Sequence, residues 1–215
     1  MFKQSSVFLL LTLTVLPACK SELDNKPDAA IVETSTTSTE VQAPAVAVVT
    51  TTHNVIKEKS SIRFVGAKVT EDHPGMFKQF DGKIAYAGNK PVSVEFDIDV
   101  TSVDTKIAKL DGHLKSPDFF DVANHPKATF RSTSIEPGAG DGTYTVTGNL
   151  NLRGEEKTIS FPASVMMMPD SVHATSEFKI NRQDYKVSYT GAADNLIKDD
   201  VLIKLDLHFP PPPPA

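Results

Sequence analysis

The chain has 215 residues and a formal net charge of -5, with 22 Lys and Arg against 27 Asp and Glu; no basic cluster reverses that balance, which excludes a nucleic-acid footprint. The length accommodates one folded domain with appendages. The single cysteine excludes an internal disulfide and any Cys-x-x-Cys zinc or redox motif.

Met1–Ala18 reads as an export signal. Lys3 supplies the positive start, and Val7–Leu16 is an apolar core that falls short of the about 20 apolar residues needed to span a bilayer. Leu16-Pro17-Ala18-Cys19 resembles a bacterial lipobox. The resemblance implies cleavage before Cys19 and acylation of that residue, hence a membrane partner reached through a lipid anchor. The alternative is an ordinary secretory signal that contains a cysteine. Lys20, where an Asp would signal inner-membrane retention, favours the outer membrane, with the domain facing the periplasm of a bacterial envelope. Residues 19–52 are then the anchor and a linker. Ser21–Thr52 is rich in Ser, Thr, Ala, Val and Pro, has no aromatic residue, and is expected to stay disordered because it has little to bury. About 32 flexible residues reach on the order of 30 Å. Val46–Val49 is its one apolar patch.

From His53 to Phe209 the apolar period is two. Val92, Val94, Phe96, Ile98 and Val100 alternate with polar residues, as do Tyr144, Val146, Gly148, Leu150 and Leu152. Ile159, Phe161, Ala163, Val165 and Met167 form a third such face, and Val201, Ile203, Leu205, Leu207 and Phe209 a fourth. Ile62 with Phe64, then Phe80, Ile84 and Tyr86, then Phe130, then Phe178 with Ile180 complete the set. Turn signals at Gly88-Asn89, Pro137–Gly142, Arg153-Gly154, Pro169-Asp170 and Gly191–Asp200 separate the runs. The expected fold is all-β: about eight antiparallel strands, each with one apolar face, closing into an up-and-down barrel. A β-sandwich fits the same pattern. Pro210–Pro214 ends the last strand, leaving 210–215 as a proline-rich tail.

One stretch interrupts the strands. Asp104 or Thr105 is positioned to cap a short helix carrying Ile107, Leu110 and Leu114. Ser116 and Pro117 then start a second turn that presents Phe119 and Phe120 together, and at least one of these rings must be buried. Asn124-His125-Pro126 closes the excursion. It is expected to sit outside the sheet or to cover one barrel end.

The stretch L-K-S-P-D-F-F-D-V-A-N-H-P-K-A-T-F, residues 114–130, resembles the signature of the YceI-like family of exported lipocalin-like barrels, several of which hold long isoprenoid lipids. Ser61–Phe80 resembles that family's opening hairpin, Gly148–Ile159 its G-x-L-x-x-x-G-x-x-K hairpin and Ile180–Tyr185 its late R-x-D-aromatic strand. The resemblance covers residues 53–209 and implies a lipocalin-like barrel over that span. Relatives often carry R-D-x-H-L where this chain has Leu110–Leu114, so Leu110 replaces an arginine, and Lys186 stands where relatives often have Gly.

The inward faces have two readings, a packed core or an apolar lumen; an eight-stranded barrel is wide enough for either. The resemblance favours a lumen lined by Phe64, Phe80, Val94, Phe96, Ile98, Phe119, Phe120, Phe130, Leu150, Phe161, Ala163, Phe178 and Leu205, holding an apolar lipid of isoprenoid or quinone type. Arg182 and Asp184 share a face if 180–185 is strand; they either meet a ligand head group or close a barrel end by ion pairing. The six histidines show no metal-binding spacing, and no resident cofactor or metal is expected. No Gly-x-Ser-x-Gly elbow is present, and the sequence points to a binding protein rather than an enzyme. A structural envelope lipoprotein with a solid barrel is the second reading, and an enzyme acting on an apolar substrate the third.

Overall fold

The structure is a computed structural model that describes residues 21–33, 50–192 and 195–212. The export signal, Cys19, the Val46–Val49 patch and the last three residues of the tail lie outside the described residues.

The strands follow the alternating runs. They are β1 (Ala30–Ile31), β2 (Thr50–Asn54), β3 (Ser61–Ala67), β4 (Asp72–Phe77), β5 (Phe80–Ala87), β6 (Lys90–Asp99) and β7 (Val103–Asp104), then helix α1 (Ala108–Lys115). After it come β8 (Lys127–Pro137), β9 (Thr143–Leu152), β10 (Glu155–Met167), β11 (Val172–Asn181), β12 (Gly191–Ala192), β13 (Asn195–Leu196) and β14 (Asp200–Phe209). The antiparallel sheet runs β2-β5-β6-β8-β9-β10-β11-β14-β3-β4-β7 and curls into a half-barrel. Short hairpins join β3 to β4, β5 to β6, β8 to β9, β9 to β10 and β10 to β11; the longer links from β6 to β8 and from β11 to β14 still join sheet neighbours, and β14 returns to β3, as an up-and-down topology requires. The strand count slightly exceeds the eight expected. Among the described residues β4 and β5 do not pair with each other; β7 borders one and β2 the other. At the β9–β10 hairpin Arg153 and Gly154 both have positive φ, 54° and 77°, the handedness that matches strand twist.

Where alternation breaks, a bulge is the cause. The β5–β6 register shifts between Ala85 and Tyr86, so Tyr86 faces Pro91. Val92, expected inward, is exposed, and Pro91 takes the inward place.

The N-terminal segment departs from expectation. β10 pairs with β11 only over Ser164–Met167. Below that the two strands part, and residues 27–32 fill the gap. Lys179 N–H donates to Pro27 O (2.8 Å), Ala29 N–H to Lys179 O (2.7 Å) and Val32 N–H to Thr158 O (2.9 Å), while β1 pairs with Ile159 and Ser160. Leu23 is 4 % exposed and clusters with Val65, Ala67 and Leu202 on the outer wall. Lys26 pairs with Glu177, Glu22 with Lys204 and Asp28 with Lys179. A linker that buries nothing is therefore wrong for 21–33. One leucine and a row of backbone hydrogen bonds dock it without any amphipathic period. This also explains why β3 is buried on both faces.

The helical excursion holds, with a different cap. α1 starts after Ile107, whose side chain makes no capping bond and is exposed. Thr105 donates its N–H and hydroxyl to Asp111 Oδ1, both at 2.7 Å, while its Oγ1 accepts weakly from Ile107 N–H at 3.4 Å. Ser116 Oγ accepts from Asp118 N–H (3.3 Å) at the following turn.

Candidate functional site: an apolar cavity inside the curled sheet

The inward faces do not fill the interior. They enclose a cavity of about 220 Å³, well over ten times the about 10–15 Å³ of equivalent volume that one water needs, in a kind of interior where voids larger than a water are few. At one end it is bounded by Leu114, Phe119, Phe120, Leu152, Arg182 and Val187, so α1 and the turn after it cover that end. At the other it reaches Pro91, Ile135, Tyr144, Val165 and Phe209.

The aromatic rings are seated so that space remains. Phe64 lies directly opposite Gly75, and Phe96 opposite Gly82. A Cβ on Gly75 would fall 2.3 Å from the Phe64 ring, and one on Gly82 2.5 Å from the Phe96 ring. Each ring thus occupies the place of a missing side chain on the neighbouring strand. Gly148 receives the Phe130 ring in the same way, at 2.6 Å. Phe161 and Phe178 stack at 4.1 Å, and Phe120 meets Phe64 edge-on at 6.4 Å. Gly66 differs: it lines the cavity, and a Cβ there would meet nothing within 4 Å.

Phe64, Val94, Phe96, Ile98, Phe119, Phe120, Phe130, Leu150, Phe161, Ala163, Phe178 and Leu205 all line the cavity. Phe80 does not. It is buried at the start of β5, beside the unpaired border with β4, and packs in the core instead. Val187 and Ile197 line the cavity without having been foreseen; both lie outside the alternating runs, and no periodic signal marks them.

The Arg182–Asp184 pair does not form. At Asn181 the chain leaves the sheet, Asn181 Oδ1 accepts from Gln183 N–H, and Arg182–Tyr185 is a 3-10 turn. It ends at Lys186 with φ 57°, so a lysine holds the left-handed conformation that glycine adopts at less cost. Arg182 is buried and reaches Asp199 Oδ1 at 3.0 Å. It also donates to the carbonyls of Lys198 (3.0 Å), Val187 and Ile197. Its donors tie the β11 exit to the segment before β14. Burial lowers the Arg182 pKa, and Asp199 opposes that shift.

Little on the wall is free for polar chemistry. Ser176 Oγ donates to Pro162 O at 2.5 Å. Among the described residues no carboxylate and no histidine lines the cavity. His113 packs edge-on against Phe119 at 4.9 Å and bonds Asp118 at 2.9 Å, a helix-packing role. What this arrangement can do is hold an apolar chain.

Residues 53–209 match the model of the YceI-like domain. The chain belongs to the YceI-like family. Over 91 residues it is 40% identical to a UPF0312 protein of Azotobacter vinelandii, covering 41% of this chain and 47% of that protein. Over 121 residues it is 35% identical to Protein YceI of Escherichia coli, covering 53% and 62%. The matched stretch thus spans about half the length of the curated relatives. Among solved structures, Burkholderia cenocepacia BcnA superposes with a TM-score of 0.67 at 27% identity, covering 72% of this chain and 98% of that one. A polyisoprenoid binding domain from Saccharophagus degradans, implicated in plant cell wall breakdown, superposes with a TM-score of 0.63 at 20% identity, covering 74% and 98%. These likenesses support the curled antiparallel fold of the YceI-like domain.

Proposed function

We propose that this YceI-like protein sequesters or carries one apolar chain, a polyisoprenoid or a quinone tail, inside the half-barrel and without catalysis. The observation that carries this reading is the apolar cavity of about 220 Å³ running between the covered end and Phe209. Each methylene transferred from water contributes about 0.8 kcal/mol, so one five-carbon isoprene unit supplies about 4 kcal/mol. Selectivity then rests on chain length and curvature. The Saccharophagus domain described as polyisoprenoid binding supports the same ligand class. A solid structural barrel fits the cavity poorly, and an enzyme would need a titratable pair that this lining lacks.

The protein acts from the envelope, held by a lipid on Cys19 and facing the periplasm, with the outer membrane favoured. Lipobox-like residues at Leu16–Cys19 support the anchor. Mass spectrometry of the organic extract of purified protein tests the ligand: a prenyl-chain species in stoichiometric amount is expected. A lipid-free protein that takes up no isoprenoid or quinone in vitro refutes the proposal. For the anchor, Cys19→Ser is expected to abolish fatty-acid labelling; undiminished labelling refutes it.

A further inference from the structure

On the outer wall, at the end opposite α1, the sheet register assembles a cluster that no sequence spacing announces. His173 on β11 stands directly opposite His208 on β14, and Asp206 precedes His208 by two residues on the same face. The two imidazoles stack at 4.3 Å with 10° between their planes. Both Nε2 atoms converge on Asp206 Oδ1, at 2.8 Å from His173 and 3.7 Å from His208. The three ligand atoms all lie within 4.8 Å of one another.

A first-row cation about 2.0–2.1 Å from each donor would place tetrahedral donors about 3.3 Å apart. The two separations from Asp206 bracket that value and the third, between the imidazoles, lies within 4.8 Å, so rotation of the side chains, without a shift of the backbone, brings the three donors together. The rings are about one quarter exposed, at 27% and 20% for the two side chains, and Asp206 is 51% exposed. Protein therefore fixes the ligands on one side, and the remaining positions are open to water. His208 Nδ1 is buried without a partner. The hydrogen bond that usually orients a ligating imidazole is thus missing, and stacking on His173 holds the ring instead. Exposed Met166 lies directly across from His173 on β10. It adds a neighbouring thioether to the row of His173 and His208, while the nitrogen and carboxylate donors themselves place Cu²⁺ highest among the divalent first-row cations.

We propose that His173, Asp206 and His208 form a binding site for a divalent first-row transition cation, with Cu²⁺ bound most tightly. The site stands on the outer wall and involves no residue of the lipid cavity, so it is independent of the ligand proposed there.

Calorimetric titration of purified protein without a polyhistidine tag, in a Cys19→Ser background that removes the only thiol, tests it with CuCl₂, ZnCl₂ and NiCl₂. One equivalent of Cu²⁺ should bind at least about tenfold tighter than Zn²⁺ or Ni²⁺, and the electron paramagnetic resonance spectrum should show coupling to two imidazole nitrogens. His173→Ala and His208→Ala should each weaken Cu²⁺ binding by about 100-fold or more. Should an alanine variant fail to fold, His173→Gln and His208→Gln replace it, since they keep a polar side chain near Asp206. Binding no tighter than millimolar, binding undiminished in both variants, or Zn²⁺ held more tightly than Cu²⁺ each overturns the proposal.

Discussion

Gly66→Leu separates a ligand-holding lumen from a merely underpacked core. Gly66 lies on β3, lines the cavity, and offers open space where a Cβ would be. The Cβ of the new side chain meets nothing within 4 Å, and its remaining three carbons extend into the cavity that Gly66 lines. Its burial should stabilise the lipid-free protein by about 1.5–3 kcal/mol, raising Tm by roughly 2–4 °C per kcal/mol. The same four carbons occupy room otherwise filled by ligand. Excluding about four methylene equivalents at about 0.8 kcal/mol each removes about 3 kcal/mol of binding, or about 200-fold in Kd. Gly75→Leu is the control of opposite sign, because its Cβ would lie 2.3 Å from the Phe64 ring and overpacking costs about 1–3 kcal/mol or more. The assay is thermal melting of delipidated protein beside titration with a short prenyl alcohol. If Gly66→Leu melts lower than wild type, or binds prenyl chains as tightly, the cavity is not the ligand space.

Leu23→Ala should cost about 2–5 kcal/mol by thermal melting, as expected for a buried leucine; an unchanged Tm would mean that residues 21–33 do not dock. Arg182→Lys keeps the charge but loses the fork that reaches the carbonyls of Val187, Ile197 and Lys198, so urea unfolding should show a loss of about 2–3 kcal/mol. The ammonium and backbone N–H of Lys106, together with Lys78, hold the Asp104 carboxyl well below the usual carboxylate range. A lowered folded pKa means stability that is present above the unfolded value of about 3.9 and is lost as pH falls through the folded value. Asp104→Asn should flatten that part of the acid limb between pH 5 and the acid transition, and an unchanged acid profile would deny Asp104 the role.

The strand faces were legible because each half-buried strand writes its own burial as alternation. Phe64, Phe130 and Phe161 could be placed from neighbours two residues away. The docked segment was not legible, since Leu23 meets Val65, Ala67 and Leu202 only through the fold, and Pro27 and Ala29 contribute backbone groups that carry no residue identity. Arg182 was misassigned to a strand because its partner, Asp199, lies 17 residues on. Asn181, which caps the turn there, was the local signal. Val92 was misplaced by a bulge that only the pairing with β5 reveals. The cavity itself was undecidable from composition: Phe64 in a solid core and Phe64 laid over Gly75 are the same letters.

The docked N-terminal segment also bears on the membrane attachment proposed above. Ser21 hydrogen-bonds Asp72 at the β3–β4 hairpin, 2.7 Å from Oγ to carboxylate, and only Lys20 stands between it and Cys19. With the proposed lipid on Cys19, the leash to that hydrogen bond would be two residues long, about 7 Å of contour at most, against on the order of 30 Å for a linker of about 32 flexible residues. On that proposed anchor the barrel would ride close to the headgroups rather than swing above them. The same hairpin bridges to Ile197, which bonds Thr190 beside the Tyr189–Phe119 contact. On the proposed Cys19 anchor, the end covered by α1 would be the end turned to the bilayer, and an apolar chain leaving past Phe119 and Phe120 would meet lipid before it met water.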